Sequence, residues 1–286
     1  MVCYIKIYIE EKVDINIKSY HSDKALIFIY KNKLCYDIIV FGDISMMIDS
    51  KKFYIPASFV GDSDYIRPSS ILDLFQTEAT IHADTLKLGY EDMLKRNLLW
   101  IVSYQEIDIV GKLPIYCDEV VVSTWPHERK RLEYVREYEI RDLDDNLLVC
   151  GIASWFTIDL NKRTLVKDDN VNYVGDFYQN TYYPNFRRKK LELVPQSEII
   201  KWDYVVTYTD LDHNGHMNNA KYLDIIYNKH LNDLSKIRKI MISFNHEIKL
   251  GETVNMEFFK NKDNDFCYIG YVNSEKCFEV IIKEES

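Results

Sequence analysis

The segment Asp210-Leu-Asp-His-Asn-Gly-His-Met-Asn-Asn-Ala-Lys-Tyr222 combines a carboxylate, an amide and an imidazole within a few residues. Asp212, Asn214 and His216 lie at alternate positions, so an extended backbone would project all three side chains to one side. A carboxylate beside an imidazole is a frequent general-base or nucleophile arrangement. The pattern favours a catalytic loop, although Asp212 could instead form an Asx-turn and His216 could be a polar residue at a helix start.

Metal binding is a second reading of this segment. Asp210, Asp212 and Asn214 match positions one, three and five of a calcium loop, but position twelve is Lys221 where an EF-hand has a bidentate Glu. A transition-metal site would draw on the carboxylate and imidazoles of the region, namely Asp212, His213, His216 and His246. No Cys pair or H-E-x-x-H helix accompanies them. We therefore predict neither a metal nor another cofactor.

A further reactive side chain is Glu247, in Ser243-Phe-Asn-His-Glu-Ile248. The predicted strand 240–250 contains it, and a carboxylate in an otherwise apolar strand is costly unless it is paired. Glu247 could hold a water molecule as a base, or it could simply face outward from the strand.

The elements that must position these residues occur twice. In the first half, a strand over 53–60 leads through a polar turn into a helix over 71–89 with an apolar face. In the second half, a strand over 204–209 leads through the Asp212 loop into a helix over 218–231. Four strand candidates follow each helix, at 98–109, 118–124, 133–141 and 147–159 in the first half and at 240–250, 253–260, 265–273 and 276–283 in the second. This order indicates a tandem duplication.

The two copies differ where the chemistry would be. With the turns aligned, Ile66 stands where the second copy has His216, and Tyr104–Ile107 aligns with Asn245–Ile248. We therefore expect one catalytic half and one structural half. The predicted class is α+β, each unit being a long helix wrapped by an antiparallel sheet of four or five strands, because such a sheet buries the apolar helix face.

The predicted organisation has four parts, which are an extension of unknown role (1–50), a first unit (51–165), a connector (166–200) and a catalytic unit (201–286). The formal charge of −9 argues against nucleic-acid binding. No apolar run is long enough for a membrane span. Six Cys without a C-x-x-C pair predict free thiols in a reducing cytoplasm.

Four motifs resemble the acyl-acyl-carrier-protein thioesterase family of plants and bacteria. They are Asp210–Asn219, Lys95-Arg-Asn-Leu-Leu-Trp-Ile-Val102, Asp118–Trp125 and Ala153-Ser-Trp-Phe156, and the resemblance covers residues 53–286. It implies two hot-dog units in tandem. It also implies hydrolysis of the thioester that joins a fatty acyl chain to the phosphopantetheine of acyl carrier protein.

Carried over residue by residue, the family's catalytic set falls on Asp212, Asn214, His216 and Glu247. In the implied mechanism Asp212 is a nucleophile or a base on water, steered by Asn214 and His216. Glu247 positions or deprotonates the water, and helix N–H groups stabilise the oxyanion. Some plant members have Cys after the Glu, but here that position is Ile248, which excludes a thiol mechanism there.

The acyl chain needs an apolar tunnel, and we predict that the first unit supplies it. The candidate wall residues are Ile71, Leu72, Phe75, Ala79 and Trp100. Ordinary core packing is the alternative for each. Acyl carrier protein is the expected partner, and the basic clusters at 128–131 and 187–190 are candidate docking sites.

Three other functions stay open on the sequence. A hot-dog thioesterase acting on acyl-CoA would share the loop, because both substrates carry phosphopantetheine. A non-catalytic acyl-binding protein would not need all four polar residues, and a dehydratase would place its acid and His differently. The acyl chain length and the oligomeric state, a homodimer included, are not determined by the sequence.

Overall fold

The computed structural model describes residues 2–7, 20–22, 25–32, 35–42 and 47–285, apart from 168, 170, 172, 174, 175, 189 and 230–232. The strands are β1 Val2–Ile7, β2 Tyr20–Ser22, β3 Ala25–Asn32, β4 Cys35–Gly42, β5 Asp49–Tyr54, β6 Leu98–Ile109, β7 Glu119–Pro126, β8 Tyr134–Arg141, β9 Leu147–Asp159, β10 Ile200–Val205, β11 Ile237–Phe244, β12 Thr253–Lys260, β13 Phe266–Val272 and β14 Glu275–Glu284. The helices are α1 Pro68–Thr85, α2 Tyr90–Leu94 and α3 Lys221–Tyr227.

Strands β5 to β14 form one antiparallel sheet in the order β10-β12-β13-β14-β11-β6-β9-β8-β7-β5. The order reads identically outward from the centre, because each half contributes five strands in the same arrangement. The halves join where β6 pairs antiparallel with β11, from Tyr104 opposite Ser243 to Asp108 opposite Lys239. The predicted duplication is therefore visible as a two-fold pattern. Strands β1 to β4 form a separate antiparallel sheet in the order β1-β4-β3-β2.

Helix α1 carries the main core of the first half. Pro68 begins it, since its fixed φ suits the first helical turn and the missing N–H is not needed there. Its sheet-facing side buries Ile71, Leu74 and Phe75 against the strands, with the Phe75 ring stacked on Tyr138 at 4.6 Å. The predicted long helix wrapped by a sheet is confirmed for this half.

The second half departs from that prediction. Helix α3 is only seven residues long, and it begins at Lys221 and ends at Tyr227. Asn218 opens its first turn by accepting the Ala220 N–H at 2.8 Å. Asn228 follows the helix, and Asn competes for backbone hydrogen bonds in ways that weaken helices. The prediction of a helix from residue 218 was wrong, and its predicted end at residue 231 lies outside the described residues.

Three strand predictions also need correction. The strand predicted over 53–60 is observed as β5, which ends at Tyr54, and Ala57–Phe59 forms a 3₁₀ turn. Strand β10 ends at Val205, before the predicted end at residue 209, and Tyr208–Asp210 forms a 3₁₀ turn. Strand β11 ends at Phe244, so Glu247 lies in a loop and not on a strand. The strand prediction overlooked three consecutive polar residues, Asn245-His-Glu247. Such a run favours a loop at the end of the strand.

Hydrogen bonds around the two turns correct the predicted alignment by one residue. The Asp212 N–H donates to the His216 carbonyl at 2.8 Å, and the Gly61 N–H donates to the Tyr65 carbonyl at 3.3 Å. His216 therefore corresponds to Tyr65, not to Ile66. The sequence alignment failed here because both turns are polar and similar in length. Residue type alone therefore did not determine which residues of the two turns are equivalent.

The segments that come after the helices give a second alignment of the two halves. The Met217 N–H donates to the Ile248 carbonyl and the Ile66 N–H donates to the Pro114 carbonyl, so Ile248 corresponds to Pro114. Glu247 thus corresponds to Leu113, and the predicted alignment of residues 104–107 with 245–248 is wrong. The first half contains more helix before its central strand, which changes the spacing between the copies.

Candidate active site

The Asp212 loop is a tight turn built on the aspartate itself. Asp212 Oδ1 accepts the backbone N–H of Asn214 at 2.8 Å and that of His216 at 3.2 Å. Gly215 adopts φ +79°, a left-handed conformation that glycine reaches without a Cβ penalty. The Asx-turn considered as an alternative is therefore present. The extended backbone predicted to align the three side chains is not.

The second oxygen of the Asp212 carboxylate takes no part in the turn. Asp212 Oδ2 has a contact of 3.4 Å with Asn214 Nδ2, longer than an ordinary N–H···O hydrogen bond. The two oxygens thus differ in their contacts, since Oδ1 holds the turn and Oδ2 has only the longer contact with the Asn214 amide.

Glu247 follows the end of β11 and lies next to the Asp212 loop. The N–H of Asn245 donates to the Cys277 carbonyl at 2.8 Å, and Ile248 is buried in the core. Between these anchors, Glu247 Oε2 lies 3.2 Å from His216 Nε2 and also contacts the guanidinium of Arg163. Of the two carboxylates, it is therefore Glu247 that contacts the His216 imidazole.

A cavity of about 690 Å³ joins the two halves of the molecule. All four predicted catalytic residues line it, namely Asp212, Asn214, His216 and Glu247. The opposite walls come from α1, α2, β6 and β9 of the first half, with Met93, Leu99, Ile101 and Trp155 among their apolar members. Polar groups of one half and apolar walls of the other thus line the same cavity, and its volume is in the range of small-molecule binding sites.

The predicted acyl-contact residues separate into two groups. Ala79 and Trp100 line the cavity, and Trp100 is fixed by a hydrogen bond from Nε1 to the Leu88 carbonyl at 2.8 Å. Ile71, Leu72 and Phe75 are buried in the main core and do not border the cavity. The core alternative describes these three residues.

Helix α1 presents a different side to the cavity. Its cavity-lining residues are Gln76, Ala79, Thr80 and Ala83, which share i, i+3, i+4 and i+7 spacing. The small and polar residues at that spacing were visible in the sequence. The acyl-contact residues were instead predicted on the apolar face of the same helix.

Among the other cavity residues, Tyr90, Arg163 and Tyr222 received no role from the sequence, and His213 was considered only as a metal ligand. The rings of Tyr90 and His213 meet edge to face at 4.6 Å, which links α2 to the catalytic loop. Burial, followed by the nearby Cys277 and Glu247, raises the pKa of Tyr222 well above its ordinary range, so its hydroxyl is a neutral donor.

A buried polar group lies behind the cavity in the first half. Glu78 is fully buried, and burial with the neighbouring Asp49 carboxylate raises its pKa to about 7. His82 is nearly buried, and burial together with Arg136 lowers its pKa to about 4. Arg136 lies 3.0 Å from His82 Nδ1, so the neutral imidazole accepts a hydrogen bond from a buried cation.

Two further site predictions can be placed. Among the described residues, no group of three or more His, Cys, Asp or Glu side chains is arranged to hold a metal ion, and no described helix could cross a membrane. In the basic clusters, Arg129 pairs with Asp169, and the Arg188 guanidinium lies 5.8 Å from the centre of the Phe156 ring. Both arginines thus have intramolecular contacts.

Comparison with known families matches both halves of the chain. The acyl-ACP thioesterase N-terminal domain matches residues 48–172, and the acyl-ACP thioesterase C-terminal domain matches residues 194–281. Together they cover most of the sequence. The chain belongs to the acyl-ACP thioesterase family.

Curated relatives are similar over part of their length. A chloroplastic acyl-[acyl-carrier-protein] hydrolase of Cuphea viscosissima is 27% identical over 165 residues, 54% of this chain and 40% of that protein. A chloroplastic palmitoyl-acyl carrier protein thioesterase of Arabidopsis thaliana is 23% identical over 189 residues, 62% of this chain and 46% of that protein. The matched region thus spans less than half the length of these relatives.

Solved structures share the fold along nearly their whole length. An acyl-ACP thioesterase from Bacteroides thetaiotaomicron has a TM-score of 0.73 at 20% identity, covering 84% of this chain and 98% of that one. The 12:0-ACP thioesterase from Umbellularia californica has a TM-score of 0.70 at 16% identity, covering 84% and 97%. The predicted α+β tandem hot-dog fold is confirmed.

Proposed function

We propose that this chain hydrolyses the fatty acyl thioester of acyl carrier protein and releases a free fatty acid, ending chain elongation in fatty acid biosynthesis. One observation carries the proposal. The polar set of the second half and the apolar walls of the first half line a single cavity. The family to which the chain belongs, and the names of its relatives, support the thioester of acyl carrier protein as the substrate.

The reaction begins with Asp212. In this proposal Oδ1 remains bound to the turn while Oδ2 follows one of two routes. It attacks the thioester carbonyl, so that the C–S bond breaks, the phosphopantetheine sulfur leaves and water hydrolyses the resulting acyl anhydride, or it takes a proton from a water that attacks the carbonyl directly and breaks the same C–S bond. In both routes the proton released from water ends on the departing sulfur. Asn214 steers the carboxylate, and His216 lies between the Asp212 turn and the Glu247 carboxylate. Glu247 positions or deprotonates the hydrolytic water. In the turn leading into α3, the N–H groups of Met217, Asn218 and Ala220 already donate to protein acceptors, so the proposed oxyanion donor is the N–H of Asn219.

The division of labour follows the sequence prediction. Residues 201–286 form the catalytic unit, residues 51–165 supply the acyl pocket without catalysis, residues 166–200 connect them, and residues 1–50 have no assigned role. The acyl chain extends past Ala79 and Trp100 between the halves. A cytoplasmic location remains a prediction, supported by free thiols at the cysteines whose side chains are described, which are Cys117, Cys150, Cys267 and Cys277.

The decisive experiment measures free fatty acid released from matched acyl carrier protein and CoA esters with short to long chains. We expect hydrolysis of the carrier-protein esters, abolished in His216→Ala. Tyr65→Ala, at the equivalent position of the first half, is the matched control and should leave turnover within about twofold, because it lies outside the chemistry.

Each other outcome has a definite meaning. Hydrolysis restricted to CoA esters would assign the chain to acyl-CoA thioesterases. Absence of hydrolysis by folded protein would favour a non-catalytic acyl-binding protein. A common loss in both the His216 and the Tyr65 variants, with lowered thermal stability, would show that folding and not catalysis was damaged.

A further inference from the structure

We infer that Arg163, from the first half, is a positioning residue that fixes Glu247 for the hydrolytic step. This inference rests on the proposed function. The Arg163 guanidinium contacts Glu247 Oε2, the same oxygen that lies 3.2 Å from His216 Nε2. Arg163 and Glu247 both line the cavity, so the pair joins the two halves at its border.

The turn that presents Arg163 is firmly built. Asp159 Oδ1 accepts the N–H groups of Asn161 and Lys162 at 2.9 and 2.8 Å, and it also accepts Asn97 Nδ2 at 3.2 Å. The Arg163 N–H donates to the Asp159 carbonyl at 2.8 Å. These bonds hold the pKa of Asp159 below its usual range, chiefly through the Lys162 N–H. The backbone from which the Arg163 side chain extends is thus held in place by hydrogen bonds.

Glu247, by contrast, needs an external restraint. It lies on a loop, its side chain is 36% exposed, and a free Glu side chain samples several rotamers. Both donors meet Oε2, and no hydrogen bond to Oε1 is found within the described part of the chain. Oε1 is therefore the oxygen left to bind water, and two donors on its twin fix the direction in which it points.

Stability alone does not explain the pair. The Arg163 side chain is 51% exposed, and ion pairs at such exposed sites contribute little to folding stability. Misplacement of a catalytic group by about 1 Å can lower a rate about 100-fold. The larger effect of Arg163 is therefore on geometry. It also gives the non-catalytic half a direct part in the reaction.

The test compares Arg163→Ala, Arg163→Lys, Glu247→Gln and the double variant Arg163→Ala with Glu247→Gln, using acyl carrier protein esters and full-length protein. We expect Arg163→Ala to lower kcat about 10- to 100-fold while KM stays within about twofold. Lysine should restore part of the rate, because a single oxygen is contacted and a point charge can replace the fork.

The double variant separates positioning from a purely structural role. If Arg163 acts through Glu247, its removal costs nothing further once the Glu247→Gln substitution is in place. Arg238→Ala is the matched control, since Arg238 pairs with Glu285 away from the active-site cavity and should leave kcat unchanged.

Three results would overturn the inference, namely an unchanged kcat in Arg163→Ala, an equal loss when Arg163→Ala is added to Glu247→Gln, or a rise in KM alone. Inactivity of the unmodified chain toward every ester would remove the proposed function and the inference together. That outcome is distinguishable from the other three, in which the unmodified chain is active.

Discussion

His216 contacts both carboxylates of the site, one through its side chain and one through its backbone. Its Nε2 lies 3.2 Å from Glu247 Oε2, and its N–H donates to Asp212 Oδ1 at 3.2 Å. The His216 imidazole therefore contacts Glu247, whereas the His216 backbone is held by the turn that Asp212 forms. This division allows folding and chemistry to be tested separately at one aspartate.

Asp212→Asn should abolish chemistry and keep the turn. The Asn side chain retains an oxygen acceptor for the N–H groups of Asn214 and His216 but loses the charged oxygen. We expect kcat on acyl carrier protein esters to fall by about 10³-fold or more, with the thermal midpoint little changed. Asp212→Ala loses the acceptor as well and should lower stability by about 1 kcal/mol. Equal stability of the two variants, or full activity in the Asn variant, would contradict this assignment.

Ala79 and Leu72 should respond in opposite ways. Ala79 borders the cavity, so Ala79→Leu should shorten the preferred acyl chain while leaving the fold intact. Leu72 lies in the core, so Leu72→Ala should cost about 2–5 kcal/mol and leave the chain-length profile unchanged. Unfolding curves and ester panels for both variants provide the measurement. A shifted profile in Leu72→Ala would return that residue to the substrate contacts.

Glu78 and His82 should give opposing pH dependences of stability. The folded pKa of Glu78 is raised from 4.5 to about 7, so its contribution is full below about 4.5 and is lost as pH rises through about 7. The folded pKa of His82 is lowered from 6.5 to about 4, so its contribution is full above about 6.5 and is lost as pH falls through about 4.

Between pH 4.5 and 6.5 these two slopes oppose each other in the unmodified chain. Glu78→Gln should reveal a free energy of unfolding that rises with pH across this window, and His82→Gln one that falls. Urea unfolding at half-unit pH steps measures both slopes. Slopes of the same sign in the two variants would show that other groups control the pH dependence.

Gly215 should be replaceable by Asn more easily than by Ala. No atom would meet a Cβ within 4 Å, so the cost comes from the backbone angle of +79° alone. Ala should cost about 1–2 kcal/mol there, and Asn less, because Asn tolerates the left-handed region. The equivalent residue of the first half, Asp64, adopts φ +59° and shows that a short polar side chain fits this turn. Equal denaturation midpoints for Ala and Asn would refute the backbone explanation.

The sequence by itself determined the local features. Apolar periodicity located α1, and alternating runs located most strands, with β6 and β9 placed at their observed ends. Motif similarity gave the family, and the polar loop gave Asp212, Asn214 and His216. The inferences about α1 and the strands succeed because side-chain spacing reports directly on which face of a helix or strand is buried. The catalytic roles of the three loop residues stay predictions.

Tertiary structure alone decided how the elements meet. The one-residue shift that places Tyr65 opposite His216 depends on hydrogen bonds between distant segments. Which side of α1 lines the cavity depends on where the second half packs. Arg163 reaches Glu247 only because β6 and β11 join the two halves into one sheet. Such contacts arise between residues far apart in the chain, and no local spacing in the sequence encodes them.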